Sequence, residues 1–165
     1  MEFGDAVNVL RGIPLFSTLE PPKLKLLAFA SESQTYEDGE DLFKEGDPSD
    51  CAYLIDEGAV DIIAASEAKE VFVATLGRHE IFGEMGIFRN APRVATIRAK
   101  GHVKVLRIEA DMFLDLVTEN PETALAVMRI LSEKIARTTE RFEEMDDKIR
   151  ALQVMDETRA GSADS

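Results

Sequence analysis

Short β-like runs follow one another through the middle of this chain: Ser33–Tyr36, Asp41–Phe43, Ala52–Ile55, Val60–Ala64, Val71–Leu76, Val94–Ile97 and Val103–Ile108. Gly39, Gly46-Asp47-Pro48, Gly58, Gly77 and Gly101 fall between them as turn signals. Strands this short, at close and even spacing, leave no room for the crossover helices that a parallel βαβ sheet requires. They predict a mainly β domain over residues 33–109, an antiparallel sandwich or roll.

Both flanks change period. In residues 1–32, Pro21-Pro22 opens a helical stretch through Leu24, Leu27 and Ala28, with proline well suited to a helix start. In residues 110–155, Met128, Leu131, Ile135, Thr138, Phe142, Met145, Ile149 and Leu152 recur at alternating steps of three and four. That is a heptad seam, apolar everywhere except Thr138, and it predicts a long coiled-coil helix and a parallel homodimer through 128–152. In that register Arg141 falls at g and Asp146 at the following e, a pair able to bridge two chains. A helix that lays the same stripe back on its own roll is the alternative. After Met155, "DETRAGSADS" (residues 156–165) is small and polar and reads as a disordered tail.

With 165 residues, 45% of them hydrophobic, the chain is long enough for one compact core plus helical extensions. Cys51 has no second cysteine to pair with, and Met1 is not followed by a charged and then apolar leader, so a reducing, cytoplasmic setting is expected. No apolar run approaches the roughly 20 residues of a spanning helix. A net charge of −13 opposes both anionic lipid and phosphate backbones, so neither membrane nor nucleic acid is expected as a partner.

Within so acidic a chain, "FGEMGIFRNAPRVAT" at 82–96 stands out. Gly83 and Gly86 would let backbone approach a ligand, and a helical turn starting there would aim N–H groups at an oxyanion. Arg93 adds a planar cationic fork for two phosphate oxygens, and Pro92 sets the backbone direction before it. Glu84 repels phosphate, so in a ligand site it would accept a hydrogen bond from a sugar hydroxyl. Sugar with one phosphate suggests a nucleotide. The bland alternative makes Arg93 a surface ion-pair partner and Glu84 a solvated turn acid. On the ligand assignment, removing Arg93 should leave the fold intact.

The stretch "FGEMGIFRNAPRVATIRA" resembles the phosphate-binding cassette of cyclic nucleotide-binding domains, in their catabolite activator and cyclic-nucleotide-dependent kinase regulatory branches. "LRGIPLFSTL", "GEDLFKEGDPSDCAYLIDEGAVDI" and "NPETALAVMRILSEKIA" extend the resemblance over residues 9 to about 150. It implies a jelly-roll-like β-roll of about eight strands and a cyclic nucleotide ligand in a cassette of Phe82, Gly83, Glu84, Met85, Gly86, Pro92, Arg93, Val94 and Ala95. Gly83, Glu84 and Met85 would hold the ribose and phosphate, Glu84 the 2′-hydroxyl and Arg93 the cyclic phosphate. Family members that select cyclic GMP often carry threonine after the arginine. Val94 stands there instead, which leans toward cyclic AMP, with cyclic GMP as second candidate, and removes a hydroxyl that the catabolite activator places on the phosphate. By the same resemblance Thr138 and Thr139 occupy the places of two hydroxyl residues that meet the adenine amino group across the dimer. A seam threonine tolerated for packing is the other reading of Thr138.

A DNA-binding regulator fits poorly, because only the short tail follows the long helix and the chain is acidic. A dimeric structural or adaptor protein with a degenerate pocket is the closer rival to a sensor. No nucleophile with a base, acid pair or metal cluster presents itself, so no enzyme and no cofactor is expected; His79 and His102 carry no assigned role, and Cys51 reads as a buried apolar side chain without a basic neighbour. The downstream protein partner is unnamed by any motif.

Overall fold

A computed structural model describes residues 3–163. Six strands form one antiparallel sheet: β1 Glu32–Tyr36, β2 Asp41–Phe43, β3 Cys51–Ser66, β4 Lys69–Leu76, β5 Ile81–Phe82 and β6 Thr96–Glu109. Helices α1 Phe3–Arg11 and α2 Pro21–Ala30, with a 3₁₀ turn at Pro14–Phe16 between them, precede the sheet. Helix α3 Glu84–Arg89 interrupts it, and α4 Ala110–Glu119 and α5 Pro121–Ala163 follow. This is the antiparallel β-roll with flanking helices and a long C-terminal helix that the spacing and the resemblance predict.

β3 and β6 run alongside each other from Cys51 opposite Glu109 to Ile63 opposite Thr96. β1 and β2 pair with β6, whereas β4 and β5 pair with β3. Each long strand was expected as two short ones, broken at Gly58 and Gly101. The glycines do adopt positive φ, +87° and +72°, but the ladder slips register around them instead of ending. Two opposed bulges let both strands bend together, because each extra residue is absorbed beside an irregularity in the partner. Counted as straight segments, the six strands therefore make the expected eight. Val94 was expected to open the first segment of β6, but the strand starts two residues later at Thr96.

The core follows from strand period. Ile55, Val60, Val103 and Val105 are fully buried and meet Leu42, Tyr53, Phe82, Ile97 and Ala99 inside the roll. Beyond Val105 the burial of β6 changes phase to Leu106 and Ile108, where α2 and α4 lie against the sheet and contribute Leu24, Leu27, Phe113 and Leu116. Helix α2 starts as expected, with prolines in its first turn and the Lys23 and Leu24 amides donating to the Glu20 carbonyl.

The chain divides between Ala124 and Leu125 into two units, each described by itself. In the second, α5 continues through residues 156–163, where a disordered tail was expected. Asp156-Glu-Thr-Arg-Ala contains no proline or glycine, and adding residues to an existing helix is far easier than nucleating one. Residues 164–165 lie outside the described region. Met128, Ile135, Phe142, Met145, Ile149 and Leu152 form an exposed apolar stripe on this helix. Asp146, expected to reach a partner's Arg141, pairs within its own helix with Arg150 at 3.0 Å. Among the described residues, no helix is long and apolar enough to cross a membrane.

Gly58 tests the opposed bulges. A Cβ there would overlap the His102 carbonyl oxygen and crowd Val103 Cα, whereas nothing lies near a Cβ on Gly101. Gly101→Ala should cost about 1–2 kcal/mol for left-handed backbone alone. Gly58→Ala should cost clearly more, and equal losses for the two in urea denaturation would show that the bulges are not in close contact.

Candidate functional site

The cassette is anchored at one end by β3 and at the other by the turn that precedes β3. Tyr53 and Leu54 pair with Phe82 and Ile81, which brings β5 alongside the central strand, and α3 follows at once. At the far end the Arg93 amide donates to the Asp47 carbonyl (2.8 Å) and the Gly46 amide to the Arg93 carbonyl (2.9 Å). The Gly46-Asp47-Pro48 turn thus clamps the backbone on each side of the arginine.

The Arg93 side chain is buried, 4% exposed, which rules out the surface ion-pair alternative. Its Nη1 donates to the Gly83 carbonyl and its Nη2 to the Cys51 carbonyl, each at 2.7 Å. The guanidinium carbon lies 4.1 Å from the centroid of the Phe43 ring. Asp50 Oδ1 is 3.6 Å from Nη2, but that carboxylate is about two-thirds exposed and also faces Arg107, so solvent screens it and the two carbonyls hold the group in place. Nε has no hydrogen-bond partner in the protein. A buried cation with an unmet N–H is where an anion is attracted by both charge and hydrogen bonding.

Glu84 is likewise buried, 2% exposed, and so is not a solvated turn acid. It stands in the first turn of α3, where the helix dipole favours negative charge. Gly83 precedes it at φ +83°, and a Cβ there would come within 2.7 Å of Arg93 Nη1. Its missing side chain is the space the guanidinium uses. Gly86 makes a close approach within the protein: a Cβ on it would collide with Ser49, whose hydroxyl donates to the Ala91 carbonyl at 2.6 Å. This glycine lets α3 meet the loop that carries Ser49. Phe82 is buried against Tyr53, ring centroids 5.1 Å apart and nearly parallel, so it packs the interior beneath the cassette. Met85, Pro92 and Val94 are exposed, and Ala95 is half-buried.

Thr138 and Thr139 belong to the second unit. Both are exposed, and their hydroxyls donate to the carbonyls of Lys134 (2.9 Å) and Ile135 (3.0 Å) one turn back.

Sequence reasoning missed Phe43, Ser49 and Asp50. It also left Cys51 without a basic neighbour, yet Arg93 Nη2 lies 3.4 Å from its Sγ. Burial nevertheless dominates there and pushes the thiol pKa up, ahead of the lowering pulls of Tyr53, Arg107 and Arg93. The thiol stays protonated and poorly nucleophilic. The one legible signal for Phe43 was its place at the end of a run whose next turn, 46–48, leads toward the arginine.

The β-roll thus buries an incompletely satisfied arginine beside Gly83 and a glycine-flanked acid, the arrangement of a class of small-ligand-binding domains. Residues 33–120 match the family model described as "Cyclic nucleotide-binding domain", and the chain belongs to that family. It is similar to the cAMP-dependent protein kinase regulatory subunit of Blastocladiella emersonii, 36% identical over 109 residues, covering 66% of this chain and 27% of that one. The chain thus spans about a quarter of that relative's length. Among solved structures it resembles the regulatory domain of Toxoplasma gondii PKA with cAMP (TM-score 0.61, 26% identity, 67% of this chain and 42% of that one). It also shares its fold with the sensor domain of the transcriptional regulator DNR from Pseudomonas aeruginosa (TM-score 0.72, 23% identity, 84% and 93%).

Removing Arg93 was expected to leave the fold intact, and the contacts of Arg93 add a cost in stability to that expectation. Its removal strands the buried carbonyl of Cys51 and the half-buried one of Gly83, and an unsatisfied buried acceptor costs about 1–3 kcal/mol. Arg93→Ala should therefore lower the unfolding free energy of the ligand-free chain by about 2 kcal/mol in chemical denaturation. Unchanged stability would mean the two carbonyls find other donors.

Proposed function

We propose that this chain is a regulatory sensor that binds cyclic AMP in preference to cyclic GMP in its β-roll and passes the signal through a dimer of its long helix to a protein partner. The observation that carries it is the buried Arg93 with its unmet Nε–H, set in the cassette of a cyclic nucleotide-binding domain. The names of two relatives given above, a cAMP-dependent kinase subunit and a domain solved with cAMP, support the choice of nucleotide. Arg93 takes the cyclic phosphate, Glu84 the ribose 2′-hydroxyl, and the backbone at Gly83 and Met85 completes the grip. No step of bond making is assigned; binding and release are the function, in a cytoplasmic setting that suits the lone thiol of Cys51.

The two threonines support the adenine preference in a way spacing could not. Each hydroxyl already donates its hydrogen to its own helix, so what remains is an acceptor. The amino group of adenine can donate to it, whereas guanine presents a carbonyl at that edge and finds no donor. The exposed stripe on α5, in heptad register, is the surface a second copy would cover. For the nucleotide to signal, it must bind one arrangement of those helices better than another.

Calorimetric titration of the full chain with each nucleotide decides the ligand. Cyclic AMP should bind more tightly, Arg93→Ala should weaken it at least about thirtyfold (about 2 kcal/mol), and Thr138→Val should weaken cyclic AMP by about 0.5–1.5 kcal/mol while changing cyclic GMP less. A wild-type chain that binds neither nucleotide would instead favour an adaptor with a degenerate pocket.

Sedimentation tests the dimer separately. The wild type should be dimeric at micromolar concentration, and Phe142→Glu, which would oppose two carboxylates in an apolar seam at a cost of several kcal/mol, should be monomeric. A monomeric wild type refutes the seam.

A further inference from the structure

The guanidinium of Arg93 is held along its edge by two carbonyls, but hydrogen bonds in its own plane do little to stop that plane from tilting. Its face is covered by Phe43, at 4.1 Å from ring centroid to Cζ. That is well inside the roughly 6 Å within which a ring quadrupole attracts a cation, and the site is buried, where such contacts are strongest.

Phe43 is not free to move aside. It is the last residue of β2 and lies opposite Ile97 of β6, just past an irregularity in the ladder. Its ring meets Tyr53 at 5.9 Å and Phe82 at 6.0 Å, and those two stack on each other at 5.1 Å. Tyr53 and Phe82 are cross-strand partners between β3 and β5, the junction that also starts the cassette. The three rings thus tie strand β2, central strand β3 and the first residue of the cassette into one support beneath one cation.

We infer that Phe43 is a positioning residue for ligand binding: its ring face holds the Arg93 plane while the two carbonyls hold its Nη edge, so that the Nε–H stays available to an anion. The inference rests on the reading of Arg93 as the phosphate partner. An aliphatic side chain of similar bulk would fill the same volume and exclude water, but it would offer no negative face to the cation. Packing and positioning therefore separate by ring electronics, which alter the second while leaving shape almost unchanged.

The experiment is calorimetric titration of the full chain with cyclic AMP, carrying at position 43 the native phenylalanine or its mono-, di- and trifluorinated forms, with Phe43→Leu alongside. Fluorination drains the ring face and keeps the shape. Affinity should fall stepwise along the series, reaching about tenfold for the trifluorinated ring, and Phe43→Leu should lose a similar amount. Urea midpoints should fall only modestly and in the same order, because the ring face already meets the cation in the ligand-free chain, and every form should still unfold cooperatively. If the fluorinated forms all bind as the native chain does, Phe43 is packing and the inference fails, while a large loss in Arg93→Ala leaves the phosphate reading standing. Should the native chain bind no cyclic nucleotide, that reading fails first and takes this one with it. Because the fluorinated series preserves shape, the test survives even if Phe43→Leu does not fold.

Discussion

Every other strand of this molecule depends on the pairing of β3 with β6. Among the described residues β1 and β2 pair with β6, and β4 and β5 pair with β3, so without that ladder there is no sheet to join. The same two strands carry the deepest side chains of the roll, Ile55, Val60, Val103 and Val105. Their sequence separation makes the pairing slow to find and costly to close, which the apolar burial it creates must offset. The opposed bulges at Gly58 and Gly101 let so long a ladder curve around a core instead of remaining a flat ribbon.

The cassette inherits its geometry from that ladder. β3 presents the Cys51 carbonyl at its first residue and receives β5 two residues further on, so one short stretch both grips Arg93 and places Gly83 beside it. A single arginine joins segments 42 residues apart in the chain and is itself buried. Separate from this unit, the long helix carries its own chemistry, an apolar stripe and two hydroxyls whose hydrogens are already committed.

Much of this was legible in the residues. Alternating apolar positions marked the strands, Pro21-Pro22 marked a helix start, and the cassette motif located the arginine and the acid. What was not legible has physical causes. Positive φ at Gly58 and Gly101 looks in sequence like a turn, because a bulge and a turn use the same residue for the same reason, and only the partner strand distinguishes them. β5 is two residues long and shows no period at all. The burial of Arg93 depends on acceptors that belong to the backbone, which no side-chain pattern reveals, and on an aromatic ring fifty positions earlier. Gly86 was legible as a close approach, but not as an approach of protein to protein. Residues 156–163 looked too polar to be ordered, yet polarity does not stop a helix that has already begun.

The unmet Nε–H of Arg93 means that the native state, by itself, is left with a deficit that the unfolded chain does not share, since water reaches that donor once the chain opens. Any anion that meets the donor binds the folded chain and not the unfolded one. At a hundred times its dissociation constant such a ligand adds about 2.7 kcal/mol to stability, enough to change the fraction of open molecules about a hundredfold. Proteases that cut through opened molecules sample that fraction. The lifetime of the chain would then follow the concentration of such an anion, and abundance would record its presence more slowly than occupancy does.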